Sequence, residues 1–134
     1  MAIPVSTPAT FGKLALLLWS VAPDRPELCA APFVYATVAA AMDCEVEVHF
    51  AGRSVRLLVA GVAAELYPGQ GREKSIYAFM REAAAAGTRF YACSMALREH
   101  LVAGEETIAD YAGAAGAAAF VARTLDAQWR SLVF

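Results

Sequence analysis

The run Lys13–Trp19 constrains the fold of this chain more than any other feature. It is continuously apolar after its first residue and lies between polar or proline-rich stretches. An apolar run of this length without alternation is typical of a β-strand that is buried on both faces. Strands of that kind belong to parallel sheets that helices cover on both sides. The first expectation is therefore an α/β fold with Lys13–Trp19 as a buried strand.

Strand-like and helix-like segments alternate along the rest of the chain. In chain order, we predict a helix at Ala31–Asp43, a strand at Glu45–Phe50, a helix at Glu73–Ala86, a strand at Thr88–Ala92, helices at Ser94–Val102 and Gly113–Asp126, and a strand at Trp129–Phe134. Within residues 51–72, the segment 54–60 is compatible with a short helix or a strand, and 67–71 is a loop. This alternation implies βαβ units, and hence a three-layer α/β domain with a mostly parallel sheet.

Three segments allow more detailed predictions. The strict alternation of polar and apolar residues in Glu45–Phe50 predicts a strand with one polar face, near an edge of the sheet. In the first helix, Val34, Val38 and Met42 run along one apolar face. Residues 1–12 contain prolines, a serine and threonines, and predict a flexible tail that precedes a single domain at residues 13–134.

Charge, cysteine content and hydropathy exclude several classes of protein. The chain carries 11 Lys and Arg against 13 Asp and Glu, a near-neutral balance that argues against nucleic-acid binding. Its three cysteines lack CxxC spacing and its two histidines lie far from any metal-ligand pattern, so we expect no metal and no cofactor. An odd number of unpatterned thiols favours a reducing cytoplasm. The longest uncharged stretches, Leu28–Met42 and Tyr111–Ala122, fall short of the roughly 20 apolar residues that a membrane span needs.

Cys93 is the strongest candidate for a functional side chain. It directly follows the predicted strand Thr88–Ala92 and directly precedes the helix that Ser94 opens. In an open parallel sheet, sites form outside the carboxyl ends of the strands, where helices begin. The free backbone N–H groups of the first turn, at Ser94 and Met95, favour the thiolate form of the sulfur. The alternative is a small side chain packed beneath the turn, since free cysteines are often buried.

The remaining cysteines and histidines are weaker candidates. Cys29 follows the first strand, so it is expected at the same sheet edge as Cys93, either as a second, resolving thiol or as a packed core residue. Cys44 precedes a strand and is expected at the opposite edge, with a structural role. His49 lies near the carboxyl end of its strand, where a place near the site competes with a solvated or interface position. His100 is two turns beyond Cys93, about 10 Å along the helix axis, which favours a surface position.

The segment Tyr91–Arg98, with Cys93 at the end of its strand, resembles the DsrE/DsrF/TusD-like proteins of bacterial sulfur metabolism. The apolar first strand, the Ala-rich helix before Glu45–Phe50, the Ala/Gly-rich segment Gly113–Asp126 and the final strand ending in Phe134 fit the same family. The similarity extends over residues 13–134. It implies a DsrE-like fold, with a mostly parallel five-stranded sheet and helices on both faces. It also implies cytoplasmic residence and assembly into a homotrimer or homohexamer.

The same resemblance implies a function for Cys93. The matching cysteine of the family accepts a sulfur atom as a persulfide and passes it to a partner protein, which requires sulfur donor and acceptor proteins. One alternative is a thiol redox, peroxiredoxin-like protein in which Cys29 resolves an oxidised Cys93. Another is an oligomeric binding subunit without thiol chemistry. The chain has no P-loop, no GxGxxG after the first strand and no GxSxG elbow, which excludes nucleotide enzymes and serine hydrolases.

Overall fold

The computed structural model describes residues 2–5 and 12–134. It contains a five-stranded sheet formed by β1 (Lys13–Leu18), β2 (Glu45–Phe50), β3 (Arg89–Ala92), β4 (Tyr111–Ala114) and β5 (Trp129–Val133). The strands lie in the order β4-β3-β2-β1-β5, and each neighbouring pair is parallel. The predicted α/β fold with a parallel five-stranded sheet is thus confirmed, and β1 lies inside the sheet as its unbroken apolar run indicates.

Helices lie on both faces of this sheet. They are α1 (Ala31–Ala41), α2 (Ile76–Ala85), α3 (Ser94–His100) and α4 (Ala117–Leu125). α1 and α2 pack together on one face, α4 packs against β1 and β5 on the other, and α3 contacts a 3₁₀ segment, Gly52–Leu58. The bounds of α2 follow from its caps: the Ser75 hydroxyl accepts the Ala78 N–H at 3.1 Å, and Gly87, with a φ of +103°, ends the helix.

The core lies between the sheet and the α1–α2 layer. Even-numbered residues of β1, β2 and β3 point to this side, as the alternation along a β-strand requires, and include Leu16, Leu18, Val46, Val48, Phe50 and Phe90. Phe33 of α1 packs onto two of these side chains, with ring centroids 6.1 Å from Phe50 and 5.8 Å from Phe90. The odd-numbered residues therefore point to the opposite face, beneath α4.

The predicted position of β2 near a sheet edge is wrong. β2 lies between β1 and β3, and its polar residues Glu47 and His49 are buried, with 3% and 4% of their surface exposed. Alternation predicts a polar face correctly, but it does not reveal whether water or protein covers that face. Here α4 covers it, and Arg123 of α4 neutralises the charge of Glu47.

The segment predicted as one helix, Gly113–Asp126, is also different in the structure. Its first two residues, Gly113 and Ala114, are the end of β4, and the helix starts only at Ala117. Alanine favours helix in isolation, but tertiary pairing with β3 determines the conformation of Tyr111–Ala114. Gly113, with a φ of +139°, adopts a backbone conformation that other residues rarely take.

The apolar face of α1 that carries Val34 and Val38 is exposed, whereas Pro32, Phe33 and Ala36 are buried. Because α1 is apolar around most of its circumference, periodicity does not identify the side that packs on the sheet.

Most of the predicted flexible tail, residues 1–12, lies outside the described residues. Gly12 is described, and its carbonyl accepts the N–H of Glu45 at 3.0 Å, directly before β1. Within residues 2–5 and 12–134, none of the helices combines the length and apolar character that crossing a membrane requires.

Candidate functional site

A cavity of about 250 Å³ opens at the carboxyl ends of the strands, on the face that α4 covers. Its walls come from β1, β2, the residue after β3 and the start of α4, and consist of Leu17, Trp19, His49, Phe50, Ala51, Cys93, Ala115, Gly116, Ala117, Phe120 and Val121. Almost all of these side chains are apolar. The two exceptions are the His49 imidazole and the Cys93 thiol, so any polar chemistry in this cavity depends on them.

Cys93 connects β3 to α3 and is half-buried. Its N–H donates to the Phe50 carbonyl at 3.1 Å, and its own carbonyl accepts the Leu97 N–H at 3.0 Å. These two bonds hold its backbone between the sheet and the first turn of α3, as its place in the sequence predicts. Ser94 and Met95, the predicted supporting residues, form that first turn and are both exposed.

The register of the sheet places His49 and Cys93 on the same face. His49 pairs with Tyr91 of β3, and their rings are 5.6 Å apart. Cys93 lies two residues beyond Tyr91, and side chains two apart in an extended chain point the same way. His49 is therefore buried and lines the same cavity as Cys93. The sequence favoured a solvated or interface position for it.

An ion pair behind His49 connects the sheet to α4. The Arg123 guanidinium donates to both carboxylate oxygens of Glu47, through Nη2 at 2.7 Å and Nε at 3.0 Å. Glu47 Oε2 also lies 3.2 Å from His49 Nε2. Phe120 of α4 packs edge-on against the imidazole, with ring centroids 5.5 Å apart. The His49 ring is therefore fixed by contacts with two elements.

These contacts determine the protonation state of the network. Burial acts to raise the pKa of Glu47, but hydrogen bonds from Arg123 and His49 outweigh it and hold that pKa below its usual value. Burial lowers the pKa of His49, although Glu47 opposes the change, so the ring is neutral at pH 7. Because a carboxylate only accepts hydrogen bonds, His49 Nε2 carries the hydrogen and Nδ1 has the lone pair. Nδ1 is buried and has no hydrogen-bond partner among residues 2–5 and 12–134.

The lowered pKa of His49 predicts that the protein loses stability in mild acid. The unfolded chain binds a proton near the ordinary pKa of 6.5, whereas the folded protein resists protonation of His49 until a lower pH. The contribution of neutral His49 to the free energy of unfolding is thus complete above about pH 6.5 and is lost as the pH falls through the folded-state pKa. Urea unfolding at about pH 7.5 and about pH 5.5 should show a smaller pH-dependent loss of unfolding free energy in His49→Gln than in the wild type.

The matched control for this measurement is His100→Gln. His100 ends α3 outside the cavity with a partly exposed side chain. We expect His100→Gln to keep the wild-type dependence on pH. An equal loss in the wild type and in His49→Gln would contradict the assignment.

The other cysteines do not line the cavity. Cys29 is buried in the core, where its thiol donates to the Ala22 carbonyl at 3.3 Å, and burial raises its pKa to about 11. Cys44 is half-buried directly before β2, at the opposite end of the strands, where its sulfur would lie 3.4 Å from a Cβ atom placed on Gly12. The described residues contain no group of three or more His, Cys, Asp and Glu placed to hold a metal ion.

Sequence reasoning missed Glu47 and Arg123. A signal for Glu47 was present, because Glu47 and His49 are two apart in an alternating strand and must share a face. Arg123 had a weaker signal as a charged residue in an Ala-rich helix. Its partner lies 76 positions away in the chain, and only the folded structure brings the two together.

Comparison with known structures agrees with this architecture. The chain is similar to the ychN protein from E. coli, with 14% identity and a TM-score of 0.71 over 93% of this chain and 100% of that chain. It is also similar to MTH1491, a protein of unknown function from Methanobacterium thermoautotrophicum, with 17% identity and a TM-score of 0.61 over the same shares. At these identities the similarity concerns the fold alone. Among curated proteins, no relative matches the chain.

The sequence itself matches a family profile over nearly its whole length. The matched segment is residues 13–134, which begins at the first residue of β1 and ends at the last residue of the chain. It includes all five strands and the whole cavity. This chain belongs to the DsrE/DsrF-like family.

Proposed function

We propose that this protein is a sulfur carrier that holds sulfur as a persulfide on Cys93 and passes it to a partner protein. The observation that carries the proposal is the location of Cys93, a half-buried thiol in an apolar cavity at the carboxyl edge of the sheet. Membership of the DsrE/DsrF-like family supports it. The chemistry needs a reachable sulfur and a donor persulfide, and no other reactive side chain is required.

The loading step is a thiol–persulfide exchange. The Cys93 thiolate attacks the outer sulfur of a donor persulfide, R–S–SH, and a new S–S bond forms at Cys93 Sγ. The donor S–S bond breaks, and its electron pair leaves on the inner sulfur as a thiolate that takes up a proton. No net oxidation occurs. Delivery repeats the exchange, with an acceptor thiolate attacking the outer sulfur of Cys93–S–SH.

The cavity suits a persulfide for two reasons. Its volume of about 250 Å³ leaves space for the additional sulfur atom above Cys93. Its walls, mostly alanine, leucine and aromatic side chains, offer few hydrogen-bonding groups to water. At the rim, Trp19 and Val121 are 66% and 51% exposed and offer an apolar surface to the donor and acceptor proteins.

Mass spectrometry tests the proposal directly. After incubation with a low-molecular-weight persulfide, the intact protein should gain the mass of one sulfur atom, and a reducing thiol should remove it. Peptide mapping should locate the added sulfur on the peptide that contains Cys93. A protein that gains no sulfur, or gains it only at Cys29 or Cys44, would overturn the proposal.

The redox alternative has less support. A resolving cysteine must present its thiolate to the oxidised partner, but burial raises the pKa of Cys29 to about 11 and its thiol donates to a backbone carbonyl. We therefore also propose a reducing compartment, the cytoplasm, where Cys93 remains a free thiol between transfers.

We further propose that the carrier is a homotrimer or homohexamer. Exposed apolar side chains gather along α1 and β5, including Tyr35, Val38 and Val133. Tyr35 packs against Phe134 with ring centroids 5.6 Å apart, which makes the two elements one continuous surface. A surface of this kind on a small protein is typical of a subunit interface.

Native mass spectrometry at micromolar concentration should therefore show trimers or hexamers. The variant Val38→Asp places a charge on this surface and should shift the distribution toward smaller species, because a buried unpaired carboxylate opposes association. A wild-type protein that is only monomeric at this concentration would refute the assembly.

A further inference from the structure

We propose that His49 exchanges a proton with Cys93 through Nδ1, and that Glu47 and Arg123 are positioning residues that select the tautomer this requires. The inference rests on the proposed sulfur-carrier function for its biological purpose. Its physical content is narrower, namely that the Cys93 thiol is the hydrogen-bond partner that His49 Nδ1 lacks in the structure. Nothing in the sequence pattern identifies this pair, because the two residues are 44 positions apart and belong to different βα units.

One ring nitrogen of His49 lacks a partner. His49 is 4% exposed, yet Nδ1 has no hydrogen-bond partner among the described residues. A buried polar atom without a partner is costly, and such atoms in folded proteins usually indicate a function or a bound group. Since Nε2 is engaged by Glu47, Nδ1 is the ring nitrogen left for a further partner, and the ring itself borders the cavity.

Cys93 is the side chain placed to be that partner. The cavity wall contains one other side chain with a transferable proton, Cys93. Cys93 lies two residues beyond Tyr91, the cross-strand partner of His49, so the two side chains are diagonal neighbours on one face. The other charged or titratable groups facing His49 are Glu47 on its own strand, Arg123 on α4 and Tyr91 on β3.

Glu47 selects the tautomer of His49. Neutral histidine has one N–H and one lone pair, and the partner of the N–H determines which nitrogen has which. Glu47 holds the hydrogen on Nε2 and leaves the lone pair on Nδ1. Two hydrogen bonds from Arg123 keep Glu47 ionised and in place. The positive charge of Arg123 thus acts on Cys93 indirectly, through two intervening side chains.

The proton balance of sulfur loading follows. As Cys93 Sγ attacks the donor persulfide, Nδ1 accepts the thiol proton and the ring becomes an imidazolium that the Glu47 carboxylate stabilises. The donor S–S bond breaks, and the imidazolium returns the proton to the departing thiolate. The overall change is Cys93–SH plus R–S–SH to Cys93–S–SH plus R–SH, with His49 neutral before and after.

Alkylation with iodoacetamide tests the pair without any persulfide. We expect His49→Gln to slow alkylation of Cys93 at pH 7 by about tenfold or more, since general-base assistance is typically worth about 10²–10⁴-fold. At about pH 10 the two rates should converge, because hydroxide in the solution then removes the thiol proton without help from a side chain. Glutamine keeps an amide N–H for Glu47 but has no titratable nitrogen. In the matched control His100→Gln, Cys93 should be alkylated at the wild-type rate at both pH values.

Sulfur loading separates failure of this inference from failure of the proposed function. If the wild type loads and His49→Gln loads equally fast, the carrier function holds and the role of His49 is overturned. If the wild type does not load at all, the carrier function fails, and the alkylation result alone decides the His49–Cys93 pair. Slow loading of His49→Gln to the wild-type end point supports both.

Nitrogen NMR of the imidazole tests the positioning residues and does not depend on the His49 variant folding. In the wild type the His49 resonances should report the tautomer with hydrogen on Nε2, and Cys93→Ser should shift the Nδ1 resonance. Glu47→Gln should convert part of the population to the other tautomer and slow alkylation at pH 7. An Nδ1 resonance that Cys93→Ser leaves unchanged would overturn the pair.

Discussion

Cys93→Ser is expected to abolish sulfur loading completely. Serine occupies nearly the same volume as cysteine, so the cavity and the start of α3 should persist. Its hydroxyl is a weak nucleophile at neutral pH, whereas a thiol supplies some thiolate and is intrinsically reactive. Intact-protein mass spectrometry after incubation with a persulfide should therefore show the unmodified mass for Cys93→Ser and one added sulfur for the wild type.

The matched controls are Cys29→Ser and Cys44→Ser. Neither residue lines the cavity, and both variants should load as fully as the wild type. Native mass spectrometry of all three variants verifies that the same assembly is present. Loading that disappears in Cys29→Ser but persists in Cys93→Ser would exclude the proposed carrier residue. A Cys29–Cys93 disulfide formed with peroxide, in a protein that does not react with persulfide donors, would favour the redox alternative.

Phe33→Ala is expected to give the largest loss of stability among single core substitutions. Phe33 is fully buried and packs against Phe50 and Phe90, and these two contacts hold α1 against β2 and β3. Removing the ring loses the free energy gained by transferring it from water to the core. It also leaves a cavity, because the surrounding strands and helices relax only partly. Such changes cost about 3–5 kcal/mol, a large part of the stability of a domain of this size.

Urea unfolding followed by circular dichroism measures this loss. The matched control is Leu125→Ala at the end of α4, where the side chain is 81% exposed and the change should remain within about 0.5 kcal/mol. Similar losses for the two variants would mean that the layer between α1 and the sheet is not the main core.

Local patterns predict the strand and helix types well where one conformation is strongly favoured. β1 follows from its unbroken apolar run, and α2 from its periodicity and the stop at Gly87. β4 was missed because alanine favours helix in isolation and both alanine and glycine are depleted in strands, so only the pairing with β3 reveals this strand. The buried side of α1 was not identifiable, since an evenly apolar helix has no preferred direction.

For the candidate site, sequence reasoning identified the location but not the network. The rule for parallel sheets placed Cys93 at the carboxyl edge, and the structure has a cavity there. The role of His49 depended on the position of β2, and a strand expected near an edge suggested a solvated histidine. Because β2 lies inside the sheet, its buried polar residues require partners. Those partners are distant in the sequence, so local patterns do not identify them.

The pairing of Arg123 with Glu47 also has a consequence for how α4 finds its position. None of the residues of α4, all of which the structure describes, is fully buried, so apolar packing selects its rotation only weakly. A turn of the helix by one residue would move Arg123 by about 100° and leave the buried Glu47 carboxylate without its cationic partner. The ion pair therefore favours one rotation of α4 about its axis over the others. Because α4 forms one wall of the cavity, the Arg123–Glu47 ion pair also contributes to the shape of that cavity.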